Sequence, residues 1–216
     1  VEYLHTKVDT GIYYQHLNLG APTKLAYDGR QMFYTASALN PACWTAGGSR
    51  ITTGTVCSVD NRTRALSNPA FNNVLLAAKS DAGGGKTATV SFNGRIQKAW
   101  NWSLAYTFSQ ATEVSPLTSS VSNSNFNARS VFNPNEDVSA NSAYLVKNRI
   151  NGSLTWERAF IKGYKTRLGF FYEGRTGKPY SWTFTNDANG DGVAGNDLLY
   201  IPSGLGSGQV VFLGDT

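Results

Sequence analysis

Charged residues are scarce in this 216-residue sequence, at 15% against the roughly 25% usual for soluble domains. The sequence also lacks any run of about 18 apolar residues, which excludes an ordinary membrane-spanning helix. A membrane-spanning strand needs only about 9 to 11 alternating residues, so the sequence does not exclude a protein that crosses a membrane with strands. Glycine, asparagine, serine, threonine and aromatic residues are plentiful instead, and this mixture favours strands and turns over helices.

No basic cluster is present, although the net charge is +5 and the pI is about 9.2. Lysines and arginines are scattered singly, and no nucleic-acid-binding motif accompanies them. We therefore expect no nucleic-acid partner. A barrel lumen that attracts anions, or a rim that faces lipopolysaccharide, accounts for the same basic excess.

The clearest positive signal is a two-residue alternation of polar and apolar side chains in the middle of the chain. From residue 89 to 97, and again from 102 to 109, every second side chain is apolar or glycine. Such a period is typical of strands with one polar and one apolar face. The sequence predicts a hairpin whose turn is Lys98-Ala99-Trp100-Asn101, with one continuous apolar face.

A second alternating pair covers residues 149–157 and 166–172, joined by the predicted connection Phe160-Ile161-Lys162-Gly163. Its polar face carries four charged residues that we expect to line a lumen and to pair with one another or with a plug: Arg149, Arg167, Glu173 and Arg175. Residues 2–19 predict one further long strand with a less regular alternation. The total is about five long strands, and residues 73–79 could form two short helical turns at most.

The predicted connections alternate between short and long. Those near residues 99–101 and 159–163 are short, whereas residues 35–87, 112–143 and 186–216 form long polar segments. Outer-membrane barrels show this asymmetry because their periplasmic turns are tight and their extracellular loops are long. Four aromatic residues lie beside the short turns, where an interfacial girdle would be: Trp100, Trp102, Trp156 and Phe160.

The expected fold class is therefore all-β: an antiparallel transmembrane β-barrel segment of about five long strands with long extracellular loops. A soluble secreted β-sandwich, acting as an adhesin or a carbohydrate-binding module, has the same alternation and remains the alternative. The alternating pattern begins abruptly at Val1 and stops abruptly near Thr216, so we expect residues 1–216 to be one part of a larger barrel domain.

Several stretches resemble the barrel of TonB-dependent outer-membrane receptors, in the OmpA-related branch called the Oar family. They are residues 1–7 with 13–19, residues 130–136 with 147–150, and, most specifically, residues 174–181 with 186–202. The resemblance implies a 22-stranded barrel plugged by an N-terminal domain. The plug, the TonB box and the C-terminal closing strands are expected to be missing from this chain.

The resemblance also implies the location and the partners. The location is the bacterial outer membrane, where this part of the barrel contacts lipid and the rest of the same receptor, namely its plug and its remaining strands. The TonB complex would act through the missing N-terminal part. The extracellular loops would help to recognise a ligand, which the sequence does not identify, for energy-coupled transport.

Two cysteines, Cys43 and Cys57, lie in one polar segment that has no nearby histidine or acidic cluster. In an oxidising compartment such a pair closes a short loop as a disulfide, and this is favoured over two unrelated thiols.

The segment from Asp187 to Asp197 has oxygen ligands at alternate positions, as in the first half of a calcium-binding loop. The candidate ligands are Asp187, Asn189, Asp191, the Val193 carbonyl and Asp197. Leu198 stands where an EF-hand has glutamate. The sequence leaves open an equal alternative, a turn held by bonds from side chains to the backbone. No cofactor is required for either structure.

No catalytic residue is predicted, and we expect the chain not to be an enzyme. His5 and His16 are the only histidines, and neither has a nucleophile or a metal set at a suitable spacing. We therefore expect both to face solvent or the lumen. Residues 80–87 resemble a phosphate-binding P-loop, but serine replaces its first glycine and a strand pattern follows where a helix is required.

Overall fold

The computed structural model describes residues 1–58, 63–97, 99–204 and 207–208. The chain is mostly β-structure, as predicted. The strands are β1 (Glu2–Lys7), β2 (Gly11–His16), β3 (Lys24–Leu25), β4 (Gln31–Met32), β5 (Leu75–Ser80), β6 (Gly84–Ile96), β7 (Trp100–Glu113), β8 (Ala140–Asn141), β9 (Asn148–Ile161) and β10 (Tyr164–Arg175). Two short helices accompany them, a 3₁₀ helix at Pro41–Cys43 and α1 at Ser122–Asn127. No helix in the described residues is long and apolar enough to cross a membrane.

Two compact units divide the chain. The sheet unit comprises Val1–Tyr13, Lys79–Leu117 and Asp137–Tyr180, and the loop unit comprises Tyr14–Ala78, Thr118–Glu136 and Ser181–Thr216. The main sheet has the order β1-β6-β7-β9-β10, with β8 paired to the end of β7. All of its pairings are antiparallel. Two smaller sheets pair β2 with β5 and β3 with β4.

The connections of the main sheet follow the predicted alternation. Residues 97–99 join β6 to β7 and residues 162–163 join β9 to β10, whereas more than thirty residues separate β7 from β9 and still more separate β1 from β6. Antiparallel strands reverse direction at each connection, so the long segments all leave the sheet at one end.

One face of the main sheet is apolar from strand to strand. Because directly paired residues share a face, the register places Phe92 beside Leu104, and Trp100 beside Trp156. The two tryptophan rings lie 6.1 Å apart, and Trp156 contacts Phe160 at 5.6 Å. Gly94 leaves space for the Trp102 indole, because a Cβ there would lie 2.8 Å from its Nε1. The aromatics predicted beside the short turns therefore lie together at the turn end of the sheet.

The opposite face is polar and internally bonded. Hydroxyl pairs cross between neighbouring strands, as between Ser103 and Ser153 at 2.7 Å. The four charged residues predicted for this face all lie on it and all make ion pairs. Glu173 lies 3.2 Å from Arg149 and 3.9 Å from Arg175, while Arg167 contacts Glu157 at 2.6 Å.

The structure corrects several predicted boundaries. Trp100 and Asn101 belong to β7, because residues 97–99 already reverse the chain, with Gln97 at a φ of 49°; Lys98 lies outside the described residues. Phe160 and Ile161 likewise belong to β9. The single long strand predicted for residues 2–19 is two strands, β1 and β2, in different sheets. Residues 75–80, which overlap the helical turns predicted for residues 73–79, form strand β5, which pairs with β2.

Candidate functional site

The candidate site is the segment of residues 187–197 in the loop unit, which turns tightly on itself. The Asp187 carboxylate accepts hydrogen bonds from the backbone N–H of Gly190 at 2.6 Å and of Gly192 at 2.8 Å. Both glycines have positive φ values, 82° and 90°, which side chains with a Cβ rarely adopt. The predicted alternation thus folds into consecutive side-chain-capped turns.

Two further side chains repeat this pattern. Asn189 Oδ1 accepts from the N–H of Asp191 at 2.8 Å, and Asp191 Oδ1 accepts from the N–H of Val193 at 2.8 Å. Asn189 and Asp191 are completely buried. Each oxygen uses one lone pair in these bonds and retains a second one.

Asp197 closes the segment through a buried ion pair. Its Oδ2 accepts from the N–H of Ala188 at 2.8 Å, and its Oδ1 lies 3.2 Å from Arg30 Nη1. The Arg30 guanidinium lies between two rings, 4.9 Å from the centroid of Phe132 and 5.3 Å from that of Phe184. Arg30 and Asp197 are 2% and 0% exposed, which makes this one of the most shielded pairs in the described residues.

The rest of the loop unit holds the segment through its backbone carbonyls. Phe33 N–H donates to Asn189 at 2.6 Å, Val131 N–H donates to Asn196 at 2.9 Å, and Arg64 Nη1 donates to Asp191 at 3.0 Å. Tyr34 Oη donates to the Asp187 carbonyl. Because the donors come from sequence segments far from residue 187, the segment joins distant parts of the loop unit.

Several polar atoms in this interior lack a hydrogen-bond partner among the described residues. They are Asp191 Oδ2, Asn189 Nδ2, and both side-chain polar atoms of Asn196. Asn196 is 2% exposed and lies beside the Asp191 carboxylate. Buried polar atoms are nearly always paired, because losing water without a replacement costs about 1–3 kcal/mol.

Burial also controls the ionisation of the three aspartates. Burial, together with the charges of Asp187 and Asp197, raises the pKa of Asp191 to about 7. The pKa values of Asp187 and Asp197 are raised as well, chiefly by burial. Burial and the same carboxylates raise the pKa of the Tyr34 hydroxyl. The segment therefore holds negative charge in surroundings that disfavour it.

All five predicted calcium ligands belong to this segment, but they are not equivalent. The Asp197 carboxylate is paired with the Arg30 guanidinium, whereas the Oδ2 atom of Asp191 has no ion-pair partner among the described residues. Among the described residues, no three histidine, cysteine, aspartate or glutamate side chains are arranged to hold a metal ion by themselves. A cation here would also need amide and carbonyl oxygens, and calcium stays a prediction.

No family model, curated protein or solved structure matches this chain. The assignment of a function therefore rests on the residues and their arrangement.

Cys43 and Cys57 form the expected disulfide, with their Cα atoms 5.5 Å apart. Both residues are buried in the loop unit, Cys43 completely. A loop of this length gains about 3 kcal/mol from such a crosslink in the loop-entropy model. The crosslink closes the segment between the two cysteines.

A concave pocket lies at the long-loop end of the sheet unit. Its volume is about 620 Å³, and it is lined by Gln110, Asn141, Lys147, Lys178 and Tyr180, among others. Lys178 lies 5.5 Å from the centre of the Tyr144 ring. The lining includes two lysines and no carboxylate, so it favours anionic or hydroxyl-rich ligands.

The histidines, which we predicted to be solvent- or lumen-facing, differ in the structure. His5 lies on β1 and is exposed, as expected, but His16 is 1% exposed. Its Nε2 lies 3.2 Å from Asn73 Oδ1, and its ring meets Phe126 edge-on at 5.9 Å. The prediction is wrong for His16, because its burial depends on partners far away in the sequence.

The buried His16 makes the stability of the loop unit dependent on pH. Burial lowers its pKa from the ordinary 6.5, the Arg64 charge adds to this, and the Asn73 hydrogen bond opposes it. The unfolded chain therefore binds the proton of His16 more readily than the folded chain does. The contribution of His16 to the free energy of unfolding keeps its full value above pH 6.5 and decreases as the pH falls below 6.5. We expect a loss of at most about 1.4 kcal/mol per pH unit from this single group.

Urea unfolding of the wild type and of His16→Gln, measured from about pH 7.5 to 5.5, checks this expectation. The variant should lose part of the acid-induced fall in stability, while His5→Gln, the matched control on β1, should keep it. Comparison with the wild type cancels the titration of Asp191, which acts in the opposite direction. Identical profiles for His16→Gln and the wild type would contradict the assignment.

Proposed function

We propose that this chain is a section of an outer-membrane transporter barrel of the TonB-dependent type, whose loop unit helps to recognise an extracellular ligand. The observation that carries the proposal is the apolar face of the main sheet. Its large side chains are extensively exposed, including Phe92 at 60%, Phe170 at 64% and Tyr172 at 62%. An apolar surface of this extent on a folded sheet is expected to contact lipid or another protein layer.

The dimensions of this face suit a lipid bilayer. The apolar positions of β7 run from Trp100 to Phe108, about 26 Å along a strand that rises about 3.3 Å per residue. A tilt of about 40° reduces the height to about 20 Å, close to the apolar band of roughly 25 Å in outer-membrane barrels. Tryptophan at the turn end and tyrosine towards the loop end match the two aromatic girdles of such barrels.

The polar face supports the same proposal. Its ion pairs and hydroxyl pairs suit a water-filled lumen, where charges pair with one another. The long connections at one end of the sheet would then be extracellular, and the short ones periplasmic. In this arrangement the pocket near Lys147 and Lys178 would lie at the extracellular end, where it could contribute to ligand recognition.

The alternative, a soluble adhesin or carbohydrate-binding sandwich, requires a second sheet packed on the apolar face. Within the described residues the other two sheets are two-stranded, and two of their four strands have only two residues. The exposed rings of Phe92 and Phe170 therefore favour a lipid cover over a second β-layer. Both outer strands of the main sheet also need neighbours, which further barrel strands would supply.

Electrophoresis of the full-length protein with and without boiling tests the proposal. A barrel folded in detergent should migrate faster when unheated, because closed barrels resist dodecyl sulfate until they are boiled. The sandwich alternative expects residues 1–216 to unfold cooperatively in plain buffer. Free solubility without detergent, together with no mobility shift, would overturn the barrel proposal.

A further inference from the structure

A buried carboxylate oxygen with no charged partner marks the segment of residues 187–197 as incomplete. Asp191 is 0% exposed, and apart from the neighbouring Asn196 amide no described group donates to its Oδ2. The other oxygen, Oδ1, is held by Val193 N–H. An ionised oxygen in such surroundings is strongly destabilising unless a cation or a donor reaches it.

The side chain of Asn196 is a second sign of a missing ligand. It is 2% exposed, and its Nδ2 faces the Asp191 carboxylate, whereas its Oδ1 has no hydrogen-bond partner within the described residues. Asn196 carries no charge, so its lack of partners does not follow from repulsion among the aspartates. An amide oxygen and a carboxylate oxygen, both buried and both available, are a suitable pair for a hard cation.

The charge balance also leaves room for a cation. Asp197 is neutralised by Arg30 at 3.2 Å, whereas Asp187 and Asp191 form no ion pair with a described residue. Arg64 approaches them, but its hydrogen bond goes to the Asp191 carbonyl at 3.0 Å. Asp28 also lies 3.4 Å from Arg30, so four aspartates and two arginines leave two net negative charges in the cluster when all the carboxylates are ionised.

The chain already holds the oxygens at the spacing that calcium uses. Asp187, Asn189 and Asp191 occupy alternate positions, and their backbone hydrogen bonds fix their directions. The Val193 carbonyl accepts no hydrogen bond in the described part of the chain. Calcium takes six to eight such oxygens in flexible geometry, while magnesium demands a near-ideal octahedron and keeps several waters.

We propose that residues 187–197 bind one calcium ion through Asp187, Asn189, Asp191, the Val193 carbonyl and Asn196. In this assignment Asn196 takes the place of the missing glutamate of an EF-hand loop, and Asp197 positions the segment through Arg30 without binding the ion. The inference concerns the loop unit alone, so it holds or fails independently of the barrel proposal.

Equilibrium dialysis of the full chain in detergent against CaCl₂, after removal of metals with chelator, tests the assignment. We expect one bound calcium per chain, with a Kd on the order of 10⁻⁴ to 10⁻³ M, as in extracellular calcium modules. Asp191→Asn should weaken binding at least tenfold. Asp81→Asn, which removes the same charge from an exposed position in the sheet unit, should bind as the wild type does.

Two further measurements keep the test decisive if Asp191→Asn folds poorly. Arg64→Gln removes a competing positive charge and should strengthen calcium binding several-fold. Terbium bound to the wild type should emit when tyrosine is excited, because the Tyr34 hydroxyl donates to the Asp187 carbonyl, and added calcium should abolish the emission. No bound calcium at concentrations well above about 1 mM, or equal binding by a folded Asp191→Asn, would overturn the proposal.

Discussion

Replacing Phe92 by arginine is expected to destabilise the protein in a lipid bilayer by about 2–4 kcal/mol, the cost of a cationic side chain at the lipid-facing midplane of a barrel. Phe92 lies at the centre of the apolar positions of β6, opposite Leu104 on β7. Its side chain is 60% exposed, so a protein surrounded by water would tolerate the change within about 0.5 kcal/mol. The size of the effect therefore reports which solvent covers this face.

The neighbouring residue gives a matched control. Asn93 is also exposed, but its side chain belongs to the polar face, next to Ser103. Asn93→Arg should change the stability by less than about 1 kcal/mol, since charges are tolerated on a lumen-facing surface. Urea unfolding of the full-length protein in lipid vesicles, followed by tryptophan fluorescence, measures both variants. Equal effects of the two substitutions would contradict the assignment of the faces.

Replacing Arg30 by methionine is expected to cost about 3–5 kcal/mol in the stability of the loop unit, because it leaves the Asp197 charge buried without its partner. The Asp197 carboxylate would keep only backbone donors, the N–H of Ala188 at 2.8 Å and that of Asn189. The methionine side chain can still fill the space between Phe132 and Phe184, so the loss reflects charge rather than volume.

A double variant tests whether Arg30 and Asp197 stabilise the loop unit as an ion pair. Arg30→Met combined with Asp197→Leu removes both buried charges, and it should be more stable than Arg30→Met alone. The other partner of Arg30, Asp28 at 3.4 Å, is partly exposed and remains in contact with water. Chemical unfolding with near-ultraviolet circular dichroism follows the loss of packing around Trp44 and Trp182. If the second substitution adds its full cost to the first, the two residues do not act as a pair.

The alternation of side chains was sufficient to predict the hairpins and their faces. Each pair of β6 with β7, and of β9 with β10, is local in sequence, and a period of two determines which side chains share a face. The ends of these strands were harder to predict, because the turn at residues 97–99 depends on a left-handed Gln97 that no sequence signal marks. Strand β5 was missed since its residues, Leu75–Ser80, show no alternation.

The candidate site was only partly predictable for a similar reason. Asp187, Asn189 and Asp191 have a local spacing with a recognisable chemistry. Arg30 is an isolated arginine in a polar stretch, and nothing around it indicates a partner 167 positions away. Asn196 was overlooked because asparagine is common in turns, and its importance comes from burial alone. Residues whose role depends on distant packing could not be found by spacing.

The same separation of 167 residues has a consequence for the order of folding. Closing a chain segment costs entropy that grows with the logarithm of its length, so joining Arg30 to Asp197 costs about 2 kcal/mol more than closing the 14-residue disulfide loop. Hairpins with two or three connecting residues close within microseconds. The hairpins are therefore expected to form early, and the ion pair late, when the last strand has been synthesised and nearly every other contact of the loop unit exists.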